Sequence, residues 1–338
     1  SVTDERQKVS ITVEKQDVET GNTVAGAVFG IYNAKDIQTK DGKVIVKADT
    51  LLQEMTSDND GLAVCTLDLP LGQYYVKELK APAGFVSSDE VLNLDAYYQG
   101  QDVKTVKLKT VKKNQPTTVE ITKSDVTTGV ELDGAKLTVL DKEGNVVDQW
   151  TSVKDQPHVI KRLTVGEEYT LREEMAPYGY LKATDVKFTL EDTAEIQKVA
   201  MKDDTAKGKV ILNKTDKSSG EPLKGVEFEL RDSKGKVLET LKTDAAGHAE
   251  SKLYEIATFK NGKYDTAIKY YLVETKTLDG YTLDQTKHEV TFAYANDSTP
   301  VVEVTFNLTN EKPEVPETPN TPDTPQSHEE TKVSNAPK

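Results

Sequence analysis

The chain is almost without cysteine. Its 338 residues include one, Cys65, so no disulfide bond can form within the chain. If the protein works outside the cell, something other than a disulfide must stabilise it. Tryptophan also occurs only once, whereas threonine, valine and lysine are abundant. This composition favours strands and exposed sheet faces.

Positive charge is outnumbered by negative charge. The formal net charge is −14 at pH 7, and a surface that binds nucleic acid needs a basic stripe, so the charge argues against a nucleic-acid partner. No run of about 18 apolar residues occurs, so no transmembrane segment is predicted in this chain. The four histidines are scattered without metal-site spacing, so we predict no metal and no cofactor.

Three stretches of the sequence begin alike and define three repeats. Each alternates apolar and polar residues and continues into Lys-x-Asp and a glycine turn, as in ITVEKQDVETG, VEITKSDVTTG and VILNKTDKSSG. Alternation with a period of two indicates a strand with one buried face. Many short strands separated by glycine turns favour β-sandwich domains. We therefore predict an all-β protein of three tandem β-sandwich domains arranged in a rod.

The repeats also set the predicted boundaries. The domains span residues 8–117, 118–206 and 207–313, and residues 314–338 form a tail rich in proline, threonine and glutamate. Such a tail cannot bury a core, and we expect an extended or disordered spacer of intermediate stiffness. The first repeat carries the longest insertion, residues 33–56, in which the stretch LLQEM is compatible with either helix or strand.

Each opening strand carries a lysine on its apolar face. In the first repeat Lys15 shares a face with Ile11 and Val13, and the alternation places Lys123 and Lys214 in the same way. A buried ammonium group without a partner is costly. One such lysine could extend its amine to solvent at a strand end, but three at the same position of the repeat indicate a shared role.

A glutamate lies on the apolar face of a later strand in each repeat. The strand of the first repeat reads YYVKELKAPAGF, in which Tyr74, Val76 and Glu78 share a face. The related phrases YTLREEMAPYGY and YYLVETKTLDGY place Glu173 and Glu274 in the same way. We therefore predict one inward-facing glutamate in each domain.

The closing strands add an asparagine or aspartate to the same faces. Asn310 and Asp203 follow the apolar alternation of their strands. The first repeat is less regular, because Thr110 and Lys112 share the face of Asn114, the best candidate there. The predicted sets are Lys15, Glu78 and Asn114; Lys123, Glu173 and Asp203; and Lys214, Glu274 and Asn310.

These residue types suit an amide-forming reaction. Burial lowers the pKa of an amine and raises that of a carboxyl group, so a lysine can be a neutral nucleophile and a glutamate can carry protons. Attack on the side-chain carbonyl of asparagine or aspartate would give an isopeptide bond and release ammonia or water. The alternative is an ordinary buried ion pair with a hydrogen bond.

The sequence up to about residue 313 resembles tandem CnaB-type domains, also called SpaA-like or prealbumin-like. YYVKELKAPAGF and YTLREEMAPYGY resemble the E-box of Gram-positive pilins and wall-anchored adhesins. The resemblance implies Ig-like or prealbumin-like sandwiches in which the first-strand lysine joins the last-strand acceptor with help from the E-box glutamate. The third repeat departs from the motif, because Leu278 replaces its proline.

The resemblance implies a stalk that withstands force rather than an enzyme, since each cross-link forms once. It implies an extracellular, wall-anchored location, with peptidoglycan or other pilus subunits attached through a sortase. The alternative is an adhesin or minor pilin whose first domain binds a host matrix ligand through residues 33–56; that insertion could equally be an extra hairpin. A sugar- or peptide-cleaving enzyme is disfavoured, because the acidic candidates share faces with core residues.

Overall fold

A computed structural model describes residues 5–314 of the chain, which form strands and no helix. The predicted all-β class is therefore confirmed. No helix in this range is long and apolar enough to cross a membrane. An extended or disordered conformation is predicted for the proline-rich tail. From residue 315 onward this tail lies outside the described residues.

The 26 strands within residues 5–314 follow the three repeats. Those of the first repeat are β1 (Lys8–Asp17), β2 (Val28–Asn33), β3 (Ile37–Gln38), β4 (Val44–Val46), β5 (Leu51–Thr56), β6 (Leu62–Val64), β7 (Gly72–Lys80), β8 (Leu92–Ala96) and β9 (Thr105–Asn114). Those of the second are β10 (Thr118–Asp125), β11 (Lys136–Leu140), β12 (Val146–Thr151), β13 (His158–Lys161), β14 (Glu168–Met175), β15 (Val186–Thr189) and β16 (Gln197–Asp203). Those of the third are β17 (Lys207–Asp216), β18 (Glu227–Arg231), β19 (Val237–Lys242), β20 (His248–Glu250), β21 (Tyr254–Glu255), β22 (Ala257–Lys260), β23 (Lys263–Ala267), β24 (Tyr270–Lys276), β25 (His288–Val290) and β26 (Val301–Asn310).

The described residues divide into two compact units. The first contains the first two repeats up to Gly208, together with residues 253–268 and 292–302. The second contains residues 209–252, residues 269–291 and the chain from Glu303 onward.

Each of the first two repeats is a sandwich of a three-stranded and a four-stranded sheet. In the first repeat the strand orders are β6-β1-β9 and β5-β2-β7-β8, and in the second they are β13-β10-β16 and β12-β11-β14-β15. The apolar face of each strand points between its two sheets, as the alternation of the sequence predicts. Val13, Phe29 and Val76 are buried in the first core, and Leu137 and Leu171 in the second.

The strands of the third repeat pair with one another in the same pattern as those of the first two repeats. Its sheets have the orders β20-β17-β21, with β26 also paired to β17, and β19-β18-β24-β25. In the second unit, Leu212, Phe228 and Leu272 are buried at the positions that Val13, Phe29 and Val76 hold in the first repeat. An additional hairpin of β22 and β23 has no counterpart in the first two repeats.

The insertion of the first repeat is mostly regular structure. Strands β3 and β4 pair as a short hairpin, which agrees with the interpretation of residues 33–56 as an extra hairpin. The ambiguous stretch LLQEM lies in β5, an edge strand that pairs with β2 in the four-stranded sheet. Only part of the predicted insertion therefore lies outside the sandwich.

Candidate functional site

The first and last strands of the repeats are neighbours in one sheet. Strands β1 and β9 run parallel with Lys15 opposite Lys112, so Asn114 lies two positions farther along. Strands β10 and β16 pair in the same way, with Lys123 opposite Met201 and Asp203 two positions farther. Successive side chains alternate between faces, so a shift of two keeps the acceptor on the lysine's face.

A backbone hydrogen bond repeats this geometry in all three repeats. The residue three positions after the lysine donates its N–H to the carbonyl of the candidate acceptor. The donors are Val18, Val126 and Lys217, at N···O distances of 3.0, 2.8 and 2.9 Å to Asn114, Asp203 and Asn310. This common geometry favours Asn114 as the first repeat's acceptor despite its irregular strand.

A β-bulge follows the glutamate in each repeat. In β7 the register against β2 shifts directly after Glu78, which leaves Leu79 as the extra residue. The same shift follows Glu173 on β14 and Glu274 on β24. Bulges bend a strand and redirect the neighbouring side chains. Here the bulge interrupts regular pairing next to the carboxyl group that points inward.

The turn after each glutamate is also shared. The backbone N–H of Phe85 donates to the carbonyl of Pro82 at 3.2 Å, across a glycine with a φ of 84°. Tyr281 closes the same turn onto Leu278 at 3.1 Å. The replacement of the E-box proline by leucine therefore leaves the turn intact, because the glycine supplies the positive φ that the turn requires.

The second repeat brings its three predicted residues together. Lys123 Nζ contacts Asp203 Oδ1 and lies 3.1 Å from Glu173 Oε2. The backbone N–H of Ala183 donates to the same glutamate oxygen at 2.7 Å. All three side chains are buried, so the two carboxyl groups share one ammonium group away from water.

This arrangement makes Asp203 an unusual acid. Burial raises its pKa to about 7; the Lys123 ammonium opposes that rise and the negative charge of Glu173 adds to it. A substantial fraction of this carboxyl group is therefore protonated at neutral pH, unlike an exposed aspartate. A protonated carboxyl group is also a better acyl acceptor than a carboxylate, because it can lose water.

In the third repeat the glutamate contacts both of its predicted partners. Lys214 Nζ donates to Asn310 Oδ1 at 2.5 Å and lies 2.9 Å from Glu274 Oε2. The other glutamate oxygen, Oε1, accepts a hydrogen bond from Asn310 Nδ2 at 2.7 Å, and Thr277 Oγ1 accepts a second at 2.6 Å. One carboxyl group thus contacts both the amine and the amide nitrogen, and all three side chains are buried.

The first repeat is assembled only in part. Asn114 Nδ2 donates to Glu78 Oε2 at 2.6 Å and to the carbonyl of Val86 at 2.9 Å. Lys15 is fully buried, but its amine donates to the carbonyl of Gln16 at 3.1 Å. In the described part of the chain, Lys15 forms no ion pair with Glu78.

A second buried lysine distinguishes the first repeat. Lys112 lies directly opposite Lys15, and its amine is 2.7 Å from both Ser88 Oγ and Glu90 Oε2. Burial lowers the pKa of Lys15 to about 8; the Glu78 carboxylate opposes this shift, and the positive charge of Lys112 adds to it. In the sequence Lys112 interrupts the apolar alternation. That interruption was the indication that a second charged group lies beside Lys15.

The aspartate of each Lys-x-Asp sequence forms a supporting contact that the sequence reasoning missed. Tyr180 donates its hydroxyl to Asp125 Oδ2 at 3.0 Å, and Tyr281 donates to Asp216 Oδ2 at 2.7 Å. The first repeat has phenylalanine at the tyrosine position, and its Asp17 accepts a hydrogen bond from Arg162 of the second repeat at 2.5 Å. The repetition of Lys-x-Asp was the available signal.

Residues 5–314 contain no group of three or more side chains that could hold a metal ion. In the second and third repeats all three side chains of the set are buried, and in each set an amine, a carboxyl group and an acyl group of the same chain lie together. Their arrangement suits a reaction within each domain rather than on a bound substrate.

A family model and several solved structures are similar to this chain. The family model of the SpaA prealbumin-like fold domain matches residues 9–112, 117–205 and 208–312. A solved structure of the Bacillus anthracis TIE protein is 25% identical, with a TM-score of 0.53, over 90% of this chain and 51% of that one. This chain thus spans about half the length of that protein. The major pilin BcpA of Bacillus cereus is 17% identical, with a TM-score of 0.46, over 91% of this chain and 100% of that one. The major pilin SpaD of Corynebacterium diphtheriae is 19% identical, with a TM-score of 0.39, over 93% of this chain and 99% of that one. A search of curated proteins found no significant match.

Proposed function

Because the chain belongs to the family of SpaA prealbumin-like fold domains, we propose that it is a load-bearing stalk of a Gram-positive surface or pilus protein. In this proposal each domain closes itself with one intramolecular isopeptide bond. The bonds join Lys15 to Asn114, Lys123 to Asp203 and Lys214 to Asn310.

The observation that carries this proposal is the double contact of Glu274. Its Oε2 lies beside the Lys214 amine and its Oε1 accepts from Asn310 Nδ2. The carboxylate takes a proton from Nζ, and the neutral amine attacks Cγ of Asn310. The same carboxyl group then delivers that proton to Nδ2, the Cγ–Nδ2 bond breaks, and ammonia leaves. The carboxylate takes the second proton from Nζ and stays protonated, which leaves a neutral amide. The new Nζ–Cγ amide carries no charge, so the cost of burying an ion pair disappears.

The second repeat follows the same course with water as the leaving group. Asp203 reacts in its protonated form, Lys123 supplies the amine, and Glu173 transfers the protons. In the first repeat Glu78 already contacts the amide nitrogen of Asn114. Reaction there requires the Lys15 amine to leave the Gln16 carbonyl and turn toward Asn114 Oδ1, a buried atom with no hydrogen-bond partner in the described residues.

The bond positions suit a protein under tension. Force enters each domain at its first strand and leaves at its last, and a cross-link between them carries the load past the strands in between. Closing a loop of about 100 residues also stabilises the fold by about 4.7 kcal/mol in the chain-entropy model. An amide withstands reducing agents, which suits a chain that has one cysteine.

The remaining parts of the proposal concern the setting. The protein is extracellular and anchored to the wall, with residues 314–338 as a spacer and a sortase joining it to peptidoglycan or to other pilus subunits. It is not an enzyme, because each reaction happens once. Binding of a host matrix ligand by the first domain stays a prediction.

Intact-mass spectrometry tests the cross-links directly. Each Lys–Asn bond lowers the mass by about 17 Da and the Lys–Asp bond by about 18 Da, so the complete set lowers it by about 52 Da. Digestion followed by tandem mass spectrometry assigns each bond to its pair. A mass equal to that of the unmodified sequence refutes the proposal.

A matched pair of variants tests the glutamate. Glu173→Ala should leave Lys123 and Asp203 unjoined and restore about 18 Da after correction for the substitution, because in this proposal Glu173 relays the proton. Glu174→Ala removes the exposed neighbouring carboxylate and should leave the mass deficit unchanged. A cross-link that still forms in Glu173→Ala contradicts the role assigned to Glu173.

A further inference from the structure

An aromatic groove lies on the first compact unit, and no residue of the three predicted sets lines it. It is a cavity of about 630 Å³ lined by Tyr178, Tyr264 and Tyr294, with Pro177 and Met175 beside them. A second cavity of about 440 Å³ adjoins it and shares Lys263 and Tyr264. We call the two together the tyrosine groove.

The third repeat's additional hairpin forms one wall of this groove. Its turn, Asn261-Gly262, has positive φ at both residues, as two-residue hairpin turns require. A side chain at Gly262 would come within 3.0 Å of Leu132, so glycine is needed for this close approach. Phe259 on β22 packs with Tyr180 and thereby fixes the hairpin to the second repeat within the same unit.

The tyrosines offer ring surface to a ligand. Tyr178 meets the rings of Tyr264 and Tyr294 edge to face, at centroid distances of 5.1 and 4.7 Å. Its side chain is nevertheless 63% exposed, although the three rings cluster. Tyr294 is held in place by the hydrogen bond from its hydroxyl to the carbonyl of Tyr180 at 2.9 Å. The groove is therefore preformed and open, and aromatic-lined grooves of this kind accept proline-rich peptides.

Lysines border the groove at its adjoining cavity. Lys154, Lys260 and Lys263 line that cavity together with Asp133 and Asp265. Lys263 pairs with Asp133 at 2.9 Å, whereas Lys260 forms no ion pair within residues 5–314. A peptide that combines prolines with carboxylates would meet tyrosine rings at one end and an unpaired ammonium group at the other.

The chain itself contains such a peptide sequence beyond its last strand. Residues 313–325 read PEVPETPNTPDTP, with a proline at every third position, three acidic residues and no basic one. A polyproline II helix has three residues per turn, so prolines with this spacing lie along one edge of it. Neighbouring prolines would then be about 9 Å apart along that edge.

We propose that the tyrosine groove binds the acidic, proline-rich segment of residues 313–325. Prolines on one edge of the segment stack on Tyr178 and Tyr264, and a carboxylate of the segment pairs with Lys260. The cross-linking reaction does not use this groove, so the proposal stands independently of the isopeptide bonds.

The test is a titration of a fluorescein-labelled synthetic peptide of residues 313–325, followed by anisotropy. The receptors are the full chain and a full-chain variant with all five prolines of the segment changed to alanine, which removes competition from the chain's own copy. We expect saturable binding of the peptide to the variant with the five proline substitutions. Tyr178→Ala in that receptor should weaken binding about tenfold or more, as loss of an aromatic anchor does.

Two controls separate recognition from nonspecific attraction. Tyr97 is 65% exposed and lies outside the groove, so Tyr97→Ala should leave the affinity unchanged. A peptide of the same composition with its proline spacing scrambled should bind at least several-fold more weakly. Equal binding of the scrambled peptide, equal affinity of the Tyr178→Ala receptor, or no binding to the competitor-free receptor each overturns the proposal.

Discussion

Replacing Lys214 by methionine removes the nucleophile of the best-formed set while keeping a side chain of similar length. The amine contacts both Glu274 and Asn310, and its side chain is completely buried. The variant therefore cannot form the proposed amide, and we expect its mass to rise by about 17 Da relative to the parent after correction for the substitution. Lys217→Met is the matched control, because the side chain of that exposed lysine forms a surface ion pair with Glu311 and the substitution keeps its backbone N–H.

The magnitude of the mechanical effect follows from the positions of the bond. With the cross-link in place, residues 215–309 are outside the load path and cannot extend. Without it, these residues lengthen by about 310–340 Å when the domain unfolds, at about 3.3–3.6 Å per residue. Loss of the closed loop also lowers the free energy of unfolding by about 4.7 kcal/mol. In Lys214→Met the buried carboxyl group of Glu274 has neither a cation nor the proton that the reaction would leave on it, which lowers the free energy of unfolding of this variant further.

Single-molecule force spectroscopy on the full chain, pulled from its two ends, measures this extension. The parent chain and Lys217→Met should show no step of that length, and Lys214→Met should show one. A double variant, Lys214→Met with Glu274→Gln, should show the same step at a higher force, because no unpaired charge remains. A step of about 310–340 Å in the parent, or its absence in Lys214→Met, refutes the reasoning.

Three further predictions concern the other repeats. Asp203→Asn should keep the cross-link but release ammonia instead of water. Burial raises the pKa of Asp203 to about 7, so its reactive protonated form disappears above that pH, and the substitution should move the optimum of the cross-linking rate to higher pH. The rate is measured as the growth of the mass deficit during refolding at each pH. Lys112→Met should raise the pKa of Lys15 by removing a neighbouring positive charge, and so slow ammonia loss from the first repeat at neutral pH; an unchanged rate would contradict that electrostatic role. Gly84→Ala should destabilise the first unit by about 1–3 kcal/mol in chemical denaturation, more than Gly42→Ala. Both glycines have φ near 85°, but only a side chain at Gly84 would meet a backbone oxygen of the second repeat, at 2.6 Å.

Much of each candidate site was predictable because strand periodicity is a local property. Lys123 follows two apolar residues at spacings of two, and Glu173 and Asp203 do the same on their own strands. Residues on the inner faces of a sandwich necessarily meet in its core. Side chains on different strands could therefore be assigned to the same interior from the sequence, and the structure has them in contact.

Other features depend on which strands pair, and the sequence alone does not determine pairing. The bulge after Glu78 becomes visible only in the register of β7 against β2. Lys112 looked like a defect in the alternation, because its partners Ser88 and Glu90 come from a distant loop. Likewise, Leu278 suggested a weakened E-box, although the turn depends on the glycine that follows it.

The parallel pairing of first and last strands has a topological consequence. With the proposed bonds in place, the covalent chain becomes a series of three closed rings joined by residues 115–122 and 204–213. A protease that cuts once within a ring leaves a single connected molecule, so only a cut in a connector separates the domains. In the first connector Thr117 is fully buried, and its hydroxyl donates to the carbonyl of Leu163 at 2.6 Å. One of the two segments whose cleavage would divide the molecule is thus partly protected from proteases.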